Sequence, residues 1–429
     1  MMAKGHSFTR VRGTQDVFPE ESPLWRYVED TIRELCRIYH YGEIRTPIFE
    51  HTELFLRTGE ATDIVDKQMY TFTDRGGRSL TLRPEGTAPV VRAYLEAKER
   101  PLLPFKVYYL GPMFRYERPQ GGRLRQFTQF GIEAIGSADP ALDAEVIGLG
   151  WEVFRRLGLE GLTIHLNSIG CPACRPRYRE ALVAYYRQRA SGLCPDCQRR
   201  LEVNPLRLLD CKEATCREAA HGAPVTVDYL CEECRTHFTA VQELLDRLSI
   251  PFVLDPYLVR GLDYYTRTVF EIMHGSLRAQ NTVCAGGRYD GLVEVCGGEA
   301  TPGIGFAAGL ERLLATLDLE GKQPPFSSPV QVLVVGADAE GRRAGVDLLH
   351  SLRRAGVAAD IDYLGRSLKA QMKHAARLGV QTVVILGQEE VQAGEVTLRN
   401  MVTGEQRRIP SPALIEELQR KGREDGERG

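Results

Sequence analysis

KVYYLGPMFRYERPQGGRLRQFTQFGIEAIG, Lys106 to Gly136, is the most informative stretch of the chain. Lys106 to Phe114 and Arg125 to Ile135 are rich in aromatic and apolar residues, as strands are. Between them, the loop Arg118 to Gly122 holds a proline and two glycines. Strands so joined pair antiparallel. In the second strand Arg125, Phe127, Gln129, Gly131 and Glu133 alternate and share one face. Arg, Gln and Glu on a covered sheet face need partners, and ligand groups are a natural supply. The competing reading is a hairpin with that face in water.

Working outward, Pro23 to Tyr39 places Leu24, Tyr27, Val28, Ile32 and Leu35 at helical spacing, with Ser22 as the expected N-cap. Tyr41 to Pro47 reads as a short strand closed by proline. Gln68 to Phe72 and Ser79 to Arg83 read as a hairpin around Gly76-Gly77. Thr87 to Ala97 and Asp139 to Leu157 read as helices. Phe252 to Tyr257, Thr266 to Met273 and Val283 to Gly286 read as further strands. Hairpin-joined strands with helices outside predict an antiparallel α+β domain. From Cys171 to about Ile250 the chain turns to cysteine pairs, arginines and short helices, as an insertion would. Glu320 to Pro329 is a Gly, Pro and Ser-rich linker. Beyond it, strands at Val330 to Val335, Val357 to Tyr363 and Thr382 to Leu386 alternate with helices at Ala339 to Ala355 and Leu368 to Leu378. That alternation predicts a small parallel α/β domain. The expected boundaries are 1–325, interrupted by 171–250, then 326–420, with a charged and disordered tail at 421–429.

No apolar run is long enough to span a bilayer, and Met1 to Arg12 holds no signal-peptide core, so a cytoplasmic protein is expected. A formal charge of −2 does not announce a nucleic-acid partner, although local basic patches can bind phosphate within a neutral total. Of 11 cysteines, eight fall in pairs: Cys171/Cys174, Cys194/Cys197, Cys211/Cys216 and Cys231/Cys234. All but Cys211/Cys216 are C-x-x-C, a spacing that lets two thiolates reach one tetrahedral ion. One site could join the inner two pairs and another the outer two; a single site and free thiols are the alternatives.

Several blocks carry chemistry. In TLRPEGTA (Thr81 to Ala88), Pro84 and Gly86 stop a strand and leave Glu85 at the head of a helix. Alone, this reads better as a carboxylate set against a helix dipole. LVRGLDYYT (Leu258 to Thr266) and AGGRYDGL (Ala285 to Leu292) set tyrosine hydroxyls and an arginine beside glycine, where a ligand can approach the backbone. The bland alternative is strand ends with core tyrosines. PGIGFAAGLER (Pro302 to Arg312) formally satisfies G-x-G-x-x-A, but the acidic residue required about twenty positions later is missing, so dinucleotide binding is rejected.

Together, TLRPEGTA, FRYERPQGGRLRQFTQFGIEAIG, LVRGLDYYTRTVFE, AGGRYDGL and PGIGFAAGLERLL resemble the signatures of the histidyl-tRNA synthetases, class II aminoacyl-tRNA synthetases. Tyr41 to Pro47 resembles the end of the class II dimer-interface motif. The resemblance implies a histidine–tRNA ligase built as a homodimer, with a class II catalytic sheet and a C-terminal anticodon-binding domain. Its partners would be ATP with Mg2+, L-histidine and tRNA(His). By the same resemblance, Arg115 holds the α-phosphate, Arg312 the γ-phosphate, and Arg123 a further phosphate contact. Arg260 bridges the histidine carboxylate and the α-phosphate. Glu85, Gly86, Thr87 and Gln129 surround the ammonium group. Glu133 and Tyr265 meet the two imidazole nitrogens, with Tyr264 and Tyr289 completing the pocket. Such chemistry needs positive charge and positioning rather than a general base, because a carboxylate is already a nucleophile. The rival is a synthetase-like regulatory subunit of histidine biosynthesis that senses histidine; a bare tRNA-binding protein leaves Glu85, Glu133 and Tyr265 unexplained.

Overall fold

A computed structural model describes residues 8–58, 64–118, 123–259, 264–275, 282–322 and 330–426, with backbone alone at 64, 66 and 421–426. The chain divides into two compact units, 1–323 and 324–429.

In the first unit the strands are β1 (Gly42–Glu43), β2 (Phe49–His51), β3 (Tyr70–Thr73), β4 (Ser79–Leu82), β5 (Phe105–Phe114), β6 (Gln126–Ile135), β7 (Leu162–Ser168), β8 (Phe252–Leu254), β9 (Thr266–His274), β10 (Thr282–Arg288) and β11 (Gly303–Gly309). Eight form one sheet in the order β1-β5-β6-β11-β10-β9-β7-β8. Its pairs are antiparallel except at the two edges, β1 with β5 and β7 with β8. The remaining three make a small sheet, β2-β4-β3.

Alternation sorts the large sheet into two faces. Phe130, Ile132 and Ala134 of β6 and Ile304, Phe306 and Ala308 of β11 pack against helices Ser22–Ile38, Pro140–Arg156, Glu232–Arg247 and Leu310–Leu319. The Phe130 and Phe306 rings meet edge to face at 5.4 Å. The other face of β6 carries Phe127, Gln129, Gly131 and Glu133, as the period of two requires. The apolar stripe of Ser22–Ile38 (Val28, Ile32, Leu35, Cys36) is wholly buried, so that helix is held by burial rather than by capping.

Six expectations are corrected. Ser22 is not the cap: it lies inside the first turn with Oγ on Pro19 O, and the carboxylate of Glu21 instead accepts from Phe18 N. The strand expected at Tyr41 to Pro47 is only Gly42–Glu43; past it the carbonyl of Thr46 is taken by Arg83 Nη1 at 2.9 Å rather than by a strand partner. Glu320 is not linker: it follows helix Leu310–Leu319 and its carboxylate meets His274 Nε2 at 2.6 Å. Residues 323–329, the rest of the expected linker, lie outside the described residues. Arg288 of AGGRYDGL does not face a ligand. It is fully buried in an ion pair with Asp143 at 2.6 Å and donates to the carbonyls of Ser137 and Asp139, pinning the helix Pro140–Arg156.

The fifth and sixth corrections concern the second unit. Its strands are β12 (Val332–Gly336), β13 (Ala359–Ile361), β14 (Thr382–Leu386), β15 (Glu395–Asn400) and β16 (Gln406–Pro410), in the order β13-β12-β14-β15-β16. The first three are parallel, but β15 and β16 add an antiparallel edge, so the sheet is mixed. Helix Leu414–Gly426 also runs into the segment expected to be a disordered tail. Val332, Val334, Leu349, Val384 and Leu398 form this unit's own core. On helix Leu368–Leu378, Gln371 and Ala375 are buried while Lys369, Lys373 and Arg377 share an exposed face four residues apart.

Candidate active site

A cavity of about 340 Å³ in the first unit is lined from β6, β9, β10, β11 and the TLRPEGTA segment. One end is cationic. Arg115 Nε donates to Pro84 O at 2.8 Å, and its guanidinium lies 5.2 Å from the centre of the Phe127 ring. Arg123 Nη1 is 3.2 Å from Glu117 Oε2, and Arg312 Nη1 donates to Thr282 O at 2.7 Å. Burial pulls the Arg312 guanidinium below its ordinary value, and repulsion from Arg123 and Arg115 adds to the effect. Burial lowers Arg115 as well. Three converging arginines that repel one another form a site prepared for an anion with several charges. Glu117 and Glu271 line the same cavity and partly offset the charge of Arg312.

The other end is aromatic and acidic. Glu85 is buried at the head of helix Thr87–Glu96, where it accepts from Thr87 N at 2.7 Å and Ala88 N at 2.9 Å. Burial raises its pKa, and those two donors oppose the rise. Thr87 Oγ1 donates to Glu133 Oε1 at 2.7 Å, and Tyr289 Oη donates to Glu133 Oε2 at 2.6 Å. Glu133 is 1% exposed, and burial pushes its pKa up to about 8. It lies directly beneath the lining, behind Thr87, with carboxylate lone pairs still available beyond the two in use. Tyr264 and Tyr265 both line the cavity, their ring centres 5.0 Å apart. Gln129 Oε1 and Tyr109 Oη are buried with no hydrogen-bond partner among the described residues. A buried polar atom left unpaired is costly, so a ligand that satisfies both would be favoured.

Glycines make the room. A Cβ at Gly305 would fall 2.0 Å from Glu133 Oε2, and one at Gly303 would fall 2.3 Å from the Tyr289 ring. Tyr109 is gripped between two of them, with a Cβ at either Gly86 or Gly131 reaching within 2.2 Å of its ring.

Glu85, Thr87, Arg115, Arg123, Gln129, Tyr264, Tyr265 and Arg312 thus line one cavity, with Gly86, Glu133 and Tyr289 directly behind it. Arg260 lies outside the described residues. Sequence reasoning missed Tyr109, Glu117, Glu271 and Glu311. Tyr109 pairs with Gly131 in the β5–β6 register, so the bulk opposite that glycine was the available signal. Glu311 accepts from Thr128 N at 2.7 Å, joining the helix Leu310–Leu319 to β6.

The eight cysteines fall into two groups, Cys171, Cys174, Cys231 and Cys234, and Cys194, Cys197, Cys211 and Cys216. In each, the Sγ atoms all lie within 4.8 Å of one another. No disulfide forms among the described residues. Four sulfurs at this spacing fit one tetrahedral ion.

Comparison with known proteins agrees with this arrangement. Histidyl-tRNA synthetase is matched by residues 13–174 and 200–313, and an anticodon binding domain by residues 330–421. The histidine–tRNA ligase of Moorella thermoacetica is 56% identical over 420 residues, covering 97% of this chain and 99% of its own. That of Desulforudis audaxviator is 57% identical over 418 residues, with the same two coverages of 97% and 99%. The crystal structure of apo S. aureus histidyl-tRNA synthetase matches with a TM-score of 0.82 at 43% identity, over 96% of this chain and 100% of that one. With a cavity cationic at one end and acidic and aromatic at the other, and with relatives this similar along its whole length, the chain belongs to the histidyl-tRNA synthetase family.

Proposed function

We propose that the chain activates L-histidine with ATP and transfers it to the 3′ end of tRNA(His). The observation that carries this reading is a single cavity with three arginines at one end and a carboxyl–tyrosine pocket at the other. The histidine carboxylate oxygen attacks the α-phosphorus of ATP, forming the adenylate and expelling pyrophosphate. The barrier is the approach of two anions, so preorganised cations lower it. Arg115 and Arg312 are the proposed α- and γ-phosphate contacts, Arg123 a further phosphate contact, and Arg260 the bridge to the carboxylate. Glu117 and Glu271 would supply the hard oxygen donors that Mg2+ prefers, and the ion would neutralise phosphate charge.

At the acidic end, Glu85, Thr87 and Gln129 would receive the ammonium group. Glu133 and Tyr265 would take the two imidazole nitrogens, one able to accept and the other to donate. A pocket built on such pairs rejects side chains that leave its polar groups unpaired. We further propose residues 1–325 as the catalytic domain with 171–250 inserted, 326–420 as the anticodon reader, a homodimer, cytoplasmic residence, and zinc at the two thiol groups. None of the described helices is long and apolar enough to cross a membrane.

The test is ATP–pyrophosphate exchange run across the amino acids. Exchange with histidine alone is expected. Exchange with none would favour the histidine-sensing regulatory reading.

A further inference from the structure

The outer four thiols sit where the insertion joins the catalytic sheet. β7 ends at Ser168; Cys171 and Cys174 lie in the turn before helix Arg175–Arg187, and Cys231 and Cys234 open helix Glu232–Arg247. The backbone there is shaped to serve sulfur. Cys231 N–H donates to Cys174 Sγ at 3.1 Å. Gly170, at φ +69°, leaves the space that a Cβ would take 2.9 Å from Cys174 Cβ.

From this junction a set of ties runs to one short segment, the start of β9. Ile169 N donates to Arg267 O at 2.8 Å, and Arg267 N donates to Gly170 O at 2.9 Å. Arg175, next to Cys174, donates to the backbone carbonyl of Tyr265. Glu233, next to Cys234, pairs with Arg267 at 2.5 Å, and Arg267 Nε faces Asp290 at 3.5 Å. Arg267 needs such holding. Its φ is +50°, a region that non-glycine residues avoid, and the β9–β10 register slips beside it. A strained residue persists only where its surroundings over-determine it. Tyr264 and Tyr265, two walls of the cavity, are the residues immediately before Thr266.

The inner four thiols are placed differently. Cys197, Cys211 and Cys216 pack with Tyr178, Tyr186 and Leu208 in the insertion's own core. Their hydrogen bonds run within the group, Cys194 N to Cys216 Sγ at 3.2 Å and Cys197 N to Cys194 Sγ at 3.4 Å.

We infer that the outer thiols hold a zinc ion that positions the tyrosine wall of the amino-acid pocket, whereas the inner thiols hold a second ion that stabilises the insertion alone. That this wall belongs to an amino-acid pocket rests on the proposed function, whereas the positioning role stands on the thiol geometry and the backbone ties. Four thiolates around Zn2+ would leave a net charge of −2, and Arg267 lies near enough to interact with Cys234. Removing the ion frees both ends of the ties to Tyr265 and Arg267.

The experiment uses the full chain purified without chelator. Elemental analysis should find about two zinc per chain, and about one in either Cys171→Ser/Cys174→Ser or Cys194→Ser/Cys197→Ser. Hydrogen exchange at the amides of residues 265–269 should quicken in the outer variant alone. In pyrophosphate exchange the outer variant should raise KM for histidine roughly 10- to 100-fold, with KM for ATP changed less than about threefold. Arg175→Ala should keep both ions, bind histidine more weakly, and be partly rescued by Arg175→Lys. An outer variant that retains both ions overturns the inference, as does one with unchanged exchange at 265–269. An inner variant that shifts the histidine KM equally overturns the division of labour. If histidine supports no exchange in the native chain, the proposed function fails, while metal content and amide exchange still decide the positioning role.

Discussion

Glu133→Gln keeps the side-chain volume, removes one charge, and separates stability from recognition. The native carboxyl is 1% exposed, and burial pushes its pKa up to about 8 even though Tyr289 and Thr87 donate to it. The unfolded chain titrates at the ordinary value of about 4.3. The folded state therefore holds a proton that the unfolded state has already lost across that window. Stability is greatest below the unfolded value and falls as pH rises toward about 8. At about 1.4 kcal/mol per pH unit the cost by pH 9 is on the order of 5 kcal/mol, an upper bound because a real site relaxes. Gln has no charge to desolvate. The variant should match the native chain near pH 4 and exceed it at pH 9 in urea melts. Recognition should move the other way. Losing a hydrogen bond to imidazole and leaving its partner unpaired costs about 1–3 kcal/mol, or roughly 5- to 150-fold in kcat/KM for histidine. If the stability difference between variant and native stays constant from pH 4 to pH 9, the burial argument is wrong. An unchanged kcat/KM would remove Glu133 from the imidazole.

Other outcomes follow from the same geometry. Arg115→Ala should lower pyrophosphate exchange by roughly 10²–10³ while leaving the melt intact, and near-native exchange would remove it from the phosphate site. Arg260→Ala should do the same, on the strength of its place in LVRGLDYY. Arg288→Met leaves Asp143 buried without its guanidinium partner and should cost about 3–5 kcal/mol in a denaturant melt. That loss should shrink below about pH 6, where burial leaves Asp143 protonated already. A chain ending at residue 322 should keep histidine activation but lose tRNA charging on the order of 100-fold, and equal charging would show that the second unit reads no tRNA.

Much of the site was legible because strand alternation is a local rule. The reading of Arg125 to Ile135 placed Phe127, Gln129 and Glu133 on one face, and they line or underlie one cavity. Gly131 stood on that face too, but that it clears space for Tyr109 needed the β5–β6 register. Arg288 was misplaced because glycine neighbours signal close approach without saying what approaches; here the neighbouring strands crowd Gly286 and Gly287, and Arg288 itself turns to Asp143. The antiparallel edge of the second unit was missed although Val396 and Leu398 are buried in alternation, since QRRIP opens on three polar residues and carries one aliphatic side chain. The tie between the cysteines and the pocket was invisible for another reason. Arg175 and Tyr265 are 90 residues apart, and no periodicity crosses that distance.

The Tyr109 ring, held between Gly86 and Gly131, has a consequence for how this sequence can drift. Any side chain at position 86 or 131 collides with the ring, and one larger than hydrogen fits only if the tyrosine shrinks first. Losing the ring first opens a void in the floor beneath the cavity, at a cost of about 3–5 kcal/mol for an aromatic truncation. Each single step is downhill in fitness, so the three positions behave as one inherited character. Among distant descendants they should co-vary as a block, and a saturation library at Gly86 or Gly131 should yield active clones only when position 109 is randomised with it.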